Sequence, residues 1–315
     1  MRTRSFADMP LSMLTLGTVQ LGLPYGIANT TGQPSYETAR DIIACAVEGG
    51  VTVLDTAVRY GESEEVVGRA MAELGIADRM VVVSKVAPMG EFSSARAVDE
   101  FLEEQVAGML ARLRLDCLPI CMFHLEDNAC HLDALAKFKE RGLIRHLGVS
   151  IMTPDKAAEV IADGKAEAMQ IPTNMLDQRF IRRGLLKSAG ERDIAVFIRS
   201  VYLQGLIPMP EGDILPELAD IIPVRRRLEG LAREAGITLT ELAIRFVMGL
   251  DGVASVLTGV ETLEQMRENL ALVNRGPLPA DLQAAIHATV PELADHLIVP
   301  RLWSKRMPDA VYVKR

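Results

Sequence analysis

The sequence has few of the features that mark disulfide-rich, membrane or secreted proteins. Its 315 residues include four cysteines and one tryptophan, and only 4% are aromatic. Four cysteines are too few for a disulfide framework in a chain of this length. No stretch approaches the roughly 20 uninterrupted apolar residues of a spanning helix, and the start, MRTRSFADMPLSML, lacks the apolar core of a secretory signal. We therefore expect a cytoplasmic protein without a membrane segment.

Clustered positive charge is also scarce. The chain has 34 Lys and Arg residues against 42 Asp and Glu residues, a formal net charge of −8, and its longest basic tract is the triplet at residues 225–227. This distribution argues against binding to a nucleic-acid backbone. The 49% apolar and 24% charged residues are typical of a globular protein with a large core.

Short runs rich in Val, Ile and Leu alternate with longer segments of helical periodicity along most of the chain. Eight strands are predicted, at residues 13–17, 51–55, 81–85, 117–124, 144–150, 166–171, 195–200 and 254–259. Helices are predicted at residues 35–50, 63–72, 97–113, 132–140, 154–161, 182–188, 224–234, 239–248 and 262–270. Apolar strands between amphipathic helices indicate a parallel sheet covered by helices, and eight repeats favour an α/β fold of the (β/α)8 TIM barrel type.

No linker interrupts this series, so residues 1–315 are predicted to form a single domain. The proline-rich stretch at 208–223 has the length of an inserted loop. Residues 277–315 follow the last repeat and include the tryptophan, Trp303. We expect this tail to lie across one mouth of the barrel.

Four polar residues stand at or just after the ends of consecutive predicted strands: Asp55, Tyr60, Lys85 and His124. Each alone has an ordinary structural explanation, such as an aspartate that caps the next helix. In a (β/α)8 barrel, however, the carboxyl ends of neighbouring strands form the active site. An ammonium beside a phenol lowers the pKa of the phenol, and a carboxylate keeps the ammonium charged. Together the four residues form a set suited to proton transfer.

The segment LDTAVRYGESEEVVG at residues 54–68 resembles the signature of the aldo/keto reductase family. The resemblance continues in the family's order over nearly the whole chain, through LGTVQLG, SK at the end of the third strand, MFHLED, LGVS, MQIPTNMLD, LQGLI and LEQMRENL. The segment RSVYLQGL resembles a bacterial branch of the family.

The resemblance implies a barrel that binds a nicotinamide dinucleotide, NAD(H) or NADP(H), without a Rossmann domain. It also implies roles for the four strand-end residues. Tyr60 would be the general acid and base, and Lys85 the cation that lowers its pKa. Asp55 would be the partner of Lys85, and His124 would orient and polarise the carbonyl group.

Two further strand-end residues, Ser150 and Gln170, match family positions that hydrogen-bond the nicotinamide carboxamide. The sequence departs from many relatives at the next position, where Ile151 replaces an asparagine. One carboxamide contact is then missing or made by another residue, and Asn174 is a candidate substitute.

A second departure lies at the end of the seventh strand. Relatives have an aromatic ring there that stacks on the nicotinamide, whereas this chain has Arg199. A guanidinium can also stack on a flat ring, and it brings positive charge near the nicotinamide or an anionic substrate group. Arg199 and the adjacent Ser200 are therefore predicted cofactor-binding residues, and Tyr202 is the competing candidate for the stacking position.

The adenosine end is predicted to contact the region after the eighth strand. Gly259 and Asn269 fit the pyrophosphate and adenine positions, while Glu261 and Gln265 occupy the region where NADP-dependent relatives carry basic residues. A carboxylate near the ribose repels a 2′-phosphate and accepts hydrogen bonds from a free hydroxyl. The family as a whole favours NADP, whereas these residues favour NAD, and Arg267 is the nearest cation.

The sequence thus predicts an oxidoreductase that interconverts a small carbonyl compound, sugars included, with its alcohol. Oxidation of a sugar or lactol is an alternative direction. The rival hypothesis is a non-catalytic nicotinamide-binding regulatory or partner subunit with the same fold. A metal-dependent enzyme is a third reading, but Cys121, His124, Cys130 and His131 lack the spacing of a zinc site, so no metal is predicted.

Overall fold

Eight parallel strands close into a barrel in the computed structural model, which describes residues 1–29 and 31–304. The predicted (β/α)8 architecture is confirmed. Two further strands precede the barrel as an antiparallel pair, β1 (Thr3–Phe6) and β2 (Met9–Ser12). The barrel strands, in chain order and each paired with the next, are β3 (Leu14–Gly17), β4 (Val53–Asp55), β5 (Val81–Val86), β6 (Leu118–Phe123), β7 (Ile144–Ser150), β8 (Ala168–Pro172), β9 (Ala195–Arg199) and β10 (Val253–Gly259), which pairs back to β3.

Helices surround the strands. Their bounds are α1 (Val19–Gly22), α2 (Tyr36–Glu48), α3 (Ser63–Leu74), α4 (Ala95–Leu113), α5 (Leu132–Glu140), α6 (Pro154–Asp163), α7 (Arg179–Arg182), α8 (Leu185–Gly190), α9 (Ile222–Glu234), α10 (Leu239–Met248), α11 (Leu263–Asn274), α12 (Ala280–Thr289) and α13 (Asp295–Ile298). None of these helices is long and apolar enough to cross a membrane.

The helix boundaries follow local sequence signals. Ser35 caps α2 by accepting a hydrogen bond from the Thr38 amide at 3.3 Å, and serine is among the residues preferred at this position. The prediction of one helix at 182–188 was wrong in detail, because Gly184 adopts a left-handed conformation with φ of 66° and separates α7 from α8. The proline-rich loop contains two short 3-10 turns, Glu211–Asp213 and Pro216–Ile221, before α9 begins.

The two-residue alternation of the strands decides which side chains face the barrel interior. In β5, Val81 and Val83 belong to the interior cluster, whereas Val82 and Val86 pack with the surrounding helices. Lys85 follows Val81 and Val83 in the same alternation and therefore points inward. The same alternation places Asp55 after the interior Val53. The alternation thus directs the polar side chains at the carboxyl ends of the strands into the barrel.

The hairpin of β1 and β2 closes the opposite end of the barrel, and the sequence analysis did not predict it. Met9 and Leu11 are buried and pack with Val53, Val83 and other interior residues. This contact covers the amino ends of the strands with apolar side chains. Access to the interior is therefore from the carboxyl ends.

The tail packs first along the outside and then reaches the open end. Helix α12 packs against α9, and Trp303 is buried with its indole nitrogen donating to the His296 carbonyl at 2.9 Å. The turn Pro300–Leu302 lies at the cavity over the carboxyl ends of the strands. The remainder of the predicted tail, residues 305–315, lies outside the described residues.

Replacing Gly22 with alanine should destabilise the protein by about 1–3 kcal/mol, because an added methyl group has no room. A Cβ at this position would lie 1.9 Å from the Tyr60 carbonyl oxygen and 2.4 Å from the Ser63 amide nitrogen. Gly230→Ala is the matched control, since a Cβ in the middle of α9 meets nothing within 4 Å. It should stabilise the protein by about 0.5–1 kcal/mol. Urea unfolding measures both changes, and equal effects would contradict the packing argument.

Candidate active site

A cavity of about 800 Å³ lies over the carboxyl ends of the barrel strands. Its size is within the usual range for small-molecule and cofactor pockets. Every barrel strand except β5 contributes a residue at or within two positions of its carboxyl end, namely Gly17, Asp55, His124, Ser150, Gln170, Arg199 and Gly259. Loops and the turn Pro300–Leu302 complete the walls. All of the predicted site residues except Lys85 line this cavity, and Lys85 contacts Asp55, which does.

Lys85 and Asp55 form a buried ion pair at this site. Lys85 Nζ donates to Asp55 Oδ1 at 2.7 Å and to the Thr56 carbonyl oxygen at 2.9 Å. Lys85 is fully buried, and Asp55 is 2% exposed. Burial lowers the pKa of Lys85, and the Asp55 carboxylate opposes that shift. The carboxylate thus favours the charged ammonium and opposes the effect of burial.

Tyr60 and His124 lie beside this pair. Lys85 Nζ is 5.1 Å from the centre of the Tyr60 ring, and the ring centres of Tyr60 and His124 are 5.5 Å apart with an interplanar angle of 85°. Burial holds the pKa of His124 well below its ordinary value of 6.5, helped by the positive charges of Lys85 and Arg199. His124 is therefore neutral near pH 7. The structure brings together all four residues of the predicted proton-transfer set.

Gln170 reaches the same carboxylate from across the barrel. Its Nε2 donates to Asp55 Oδ1 at 2.7 Å, so this oxygen accepts hydrogen bonds from both Gln170 and Lys85. Gln170 lines the cavity together with Ser150. The predicted contacts of Ser150 and Gln170 with a carboxamide remain predictions, and the bond to Asp55 is an additional function of the Gln170 side chain.

Arg199 occupies the end of β9, as expected from the sequence. Its Nη2 donates to the Ile151 carbonyl oxygen at 3.1 Å, and its Nη1 lies 3.4 Å from Ser200 Oγ. Ser200 has a φ of 63°, in the left-handed region that non-glycine residues rarely adopt. Tyr202 also lines the cavity, but its hydroxyl donates to Asn269 Oδ1 at 2.9 Å.

Glu126 is a site residue that the sequence analysis missed, although it lies in the quoted MFHLED segment. One carboxylate oxygen accepts the backbone amides of Met152 and Thr153, at 2.7 and 2.9 Å, and the other accepts the Thr153 hydroxyl at 3.1 Å. Glu126 thereby fixes the segment that follows Ser150. The only sequence signal was its position two residues after the strand-end histidine.

The residues predicted for the adenosine end lie at the end of β10, in the loop after it and in α11. Asn269 Nδ2 donates to Thr258 Oγ1 at 3.3 Å. Gln265 forms a capping box at the start of α11, with Oε1 accepting the amides of Glu261 and Thr262 at 2.7 and 3.3 Å. All of the predicted residues of this region line the cavity: Gly259, Glu261, Gln265 and Asn269.

The prediction of Asn174 as a substitute carboxamide contact is not supported by its environment. Asn174 is fully buried, its Nδ2 donates to the Ser200 carbonyl oxygen at 3.0 Å, and its Oδ1 accepts the amides of Leu176 and Asp177 at 2.8 and 2.9 Å. Its hydrogen bonds hold the chain after β8 in place. Arg267, proposed as the nearest cation, is exposed on α11 and does not line the cavity.

The cysteine and histidine residues between 121 and 131 do not converge. Cys121 is buried and Cys130 is exposed. Over residues 1–29 and 31–304, no group of three or more His, Cys, Asp and Glu side chains is placed to hold a metal ion.

The lowered pKa of His124 predicts a pH dependence of stability. Below its ordinary value of 6.5, the unfolded chain binds a proton at this residue that the folded protein excludes. The free energy of unfolding should therefore fall as the pH drops from 7 to 5, with up to about 1.4 kcal/mol per pH unit due to His124. Urea unfolding of His124→Asn should show a correspondingly smaller slope, whereas parallel curves for the two proteins would contradict a buried neutral imidazole.

Comparison with known proteins identifies the family. The model of the aldo/keto reductase family matches residues 13–290. An NADH-specific methylglyoxal reductase of Escherichia coli (strain K12) is 26% identical over 87% of this chain and 93% of that protein. The uncharacterized oxidoreductase YqkF of Bacillus subtilis (strain 168) is 25% identical over 85% of this chain and 89% of its own length.

A solved structure shows the same architecture. The holo form of an aldo-keto reductase from Bacillus halodurans matches with a TM-score of 0.76 and 23% identity, over 94% of this chain and 99% of the other. The family match extends from the first barrel strand through α12 and includes every strand-end residue of the cavity. This protein therefore belongs to the aldo/keto reductase family and is an NAD(P)-dependent oxidoreductase.

Proposed function

We propose that the protein interconverts a small carbonyl compound and its alcohol, with Tyr60 as the general acid and base. The observation that carries this proposal is the convergence of the Lys85–Asp55 ion pair, the Tyr60 ring and the neutral His124. Asp55, Tyr60 and His124 line the cavity. Such a convergence supports a catalytic protein over a non-catalytic subunit. We also propose that the barrel and its extensions form one catalytic domain.

A nicotinamide dinucleotide fits the residues that line the cavity. Gln20 Oε1 is a buried acceptor that has no hydrogen-bond partner within the described structure, and it faces the position where a Cβ on Gly259 would lie, at 2.1 Å. Ser150, Gln170, Arg199 and Ser200 are suited to the nicotinamide end, and the residues from Gly259 to Asn269 to the adenosine end. When bound, the cofactor supplies the hydride that the side chains of the protein cannot.

The side chains of the chain manage the proton and the developing negative charge. Tyr60 gives its phenol proton to the carbonyl oxygen as that oxygen becomes an alkoxide, and removes it in the reverse reaction. The nearby Lys85 ammonium favours the phenolate and so lowers the pKa of Tyr60, while Asp55 keeps Lys85 charged. In this proposal His124, neutral and buried, hydrogen-bonds the same oxygen. In this desolvated cavity the fixed charges act with little screening.

The adenosine end favours NAD(H) over NADP(H). Glu261 and Glu268 line this part of the cavity, and a carboxylate beside the ribose repels a 2′-phosphate. The NADH-specific relative from Escherichia coli supports the same preference. Arg301 also lines the cavity and is exposed. Among the described residues that line the cavity, Arg301 is the cation outside the proposed nicotinamide end. If the protein binds NADPH, Arg301→Gln tests whether Arg301 contributes to that binding.

The substrate is proposed to be a small polar carbonyl compound or alcohol, sugars included. The polar residues that line the cavity include Glu126, Asp127 and Arg199, whereas the tryptophan of the chain is buried and does not line it. A lining of this kind favours hydroxyl-bearing or charged substrates over large apolar ones.

Tyr60→Phe should reduce kcat by a factor of about 10²–10⁴, because the general acid is removed while the ring remains. The dissociation constant for NADH, measured by cofactor fluorescence, should change little. The matched control is Tyr36→Phe, which removes the same hydroxyl from α2, away from the cavity. Turnover by Tyr60→Phe at the wild-type rate would rule out the proposed role of Tyr60.

Glu261→Arg should tighten NADPH binding by about tenfold or more, because a carboxylate is replaced by a donor that pairs with a phosphate. Fluorescence titration of the wild type should show tighter binding of NADH than of NADPH. Glu264→Arg makes the same charge change at an exposed position of α11 that does not line the cavity, and should leave the preference unchanged. Tighter NADPH binding by the wild type would contradict the proposed role of Glu261.

A further inference from the structure

Arg199 carries a positive charge that no carboxylate of the described structure neutralises. Its hydrogen-bond partners are the Ile151 carbonyl oxygen at 3.1 Å, the Met152 sulfur and, at 3.4 Å, Ser200 Oγ. All three are uncharged. Nε and one N–H of Nη1 have no acceptor among residues 1–29 and 31–304. A half-buried guanidinium of this kind can still donate to an anion.

The guanidinium is also held in place. Ile151 belongs to the segment whose next two amides, of Met152 and Thr153, donate to Glu126. The Glu126 carboxylate therefore fixes the segment whose Ile151 carbonyl accepts the hydrogen bond from Arg199. Glu126 itself makes no hydrogen bond or ion pair with Arg199 in the described structure. A charge positioned in advance binds its partner with a smaller loss of side-chain entropy.

The charge lies close to the proposed reaction centre. Arg199 lines the same cavity as Tyr60 and His124. Burial and Asp55 have the largest effects on the pKa of Lys85, and the Arg199 charge lowers it further. The Arg199 charge also contributes to the lowered pKa of His124, which is mainly due to burial. Asp55 offsets Lys85 and His124 is neutral, so neither residue balances the charge of Arg199.

Building on the proposed function, we infer that the cavity selects carbonyl substrates that carry a carboxylate, and that Arg199 binds this carboxylate. A monoanion fits better than a phosphate dianion, since Glu126, Asp127 and Glu268 also line the cavity and oppose a second negative charge. In the reaction the carbonyl carbon gains the hydride and the oxygen gains the Tyr60 proton. The carboxylate is unchanged, so an aldehyde acid becomes a hydroxy acid.

The kinetic test compares two four-carbon aldehydes, succinic semialdehyde and butyraldehyde, which differ in the terminal carboxylate. The ratio of their kcat/KM values should exceed about 10 in the wild type and fall by about 10- to 100-fold in Arg199→Gln. Arg199→Lys, which keeps the charge, should give an intermediate ratio. Arg267→Gln removes the same charge from the exposed face of α11 and should leave the ratio as in the wild type. A ratio that Arg199→Gln does not change would overturn the inference, since a guanidinium that only stacks on the cofactor affects both substrates equally.

A binding measurement separates this inference from the proposed function. Calorimetry of the protein with saturating NADH should show tighter binding of butyrate than of butyramide, its uncharged analogue, and Arg199→Gln should remove the difference. Equal binding of the two compounds by the wild type would overturn the inference even if Tyr60-dependent turnover is found. The opposite outcome is also possible to distinguish. If the wild type prefers butyrate but Tyr60→Phe retains turnover, the role of Arg199 is supported and the proposed role of Tyr60 is wrong. A third comparison uses glyceraldehyde 3-phosphate and glyceraldehyde, which differ in the phosphate. If the kcat/KM ratio of this pair exceeds that of succinic semialdehyde and butyraldehyde, the inference that the cavity selects a carboxylate is wrong.

Discussion

An ammonium group buried inside a barrel requires a carboxylate beside it, and the rest of the site depends on this requirement. Moving a single charge out of water costs several kcal/mol, and a partner with good hydrogen bonds must offset that cost. The parallel register pairs Asp55 of β4 with Val83 of β5, so that Lys85 lies one inward position further along. Gln170 donates to the same oxygen from β8, on the far side of the barrel. Only a closed barrel brings these strands around one carboxylate.

Much of this arrangement could be predicted from the sequence, because alternation along a strand is a local property. Val81, Val83 and Lys85 follow one another at every second position, and so do Phe197 and Arg199. Once the eight-repeat pattern indicates a closed barrel, each polar residue at such a position must point into its carboxyl end. The resemblance of residues 54–68 to a family signature then added roles that alternation alone cannot supply.

The parts that could not be predicted depend on contacts between segments distant in sequence. Nothing near Leu11 shows that it fills the amino end of the barrel against Phe197. Glu126 resembles an ordinary exposed acid until its bonds to the amides of Met152 and Thr153 are seen. Asn174 was a candidate carboxamide contact on the sequence alone, but its side chain hydrogen-bonds three backbone groups. Hydrogen bonds of side chains to backbone leave little trace in composition or periodicity.

The ionisation of the Tyr60 phenol tests the account most directly. The difference between ultraviolet pH titrations of the wild type and Tyr60→Phe isolates this tyrosine from the other four, and the same pair is measured in a Lys85→Met background whose fold is checked by circular dichroism. We expect the pKa of Tyr60 to lie below the usual phenol value of about 10 when Lys85 is present, and to be higher in its absence. The same pKa in both backgrounds would contradict the proposal that the buried ion pair prepares Tyr60 for proton transfer.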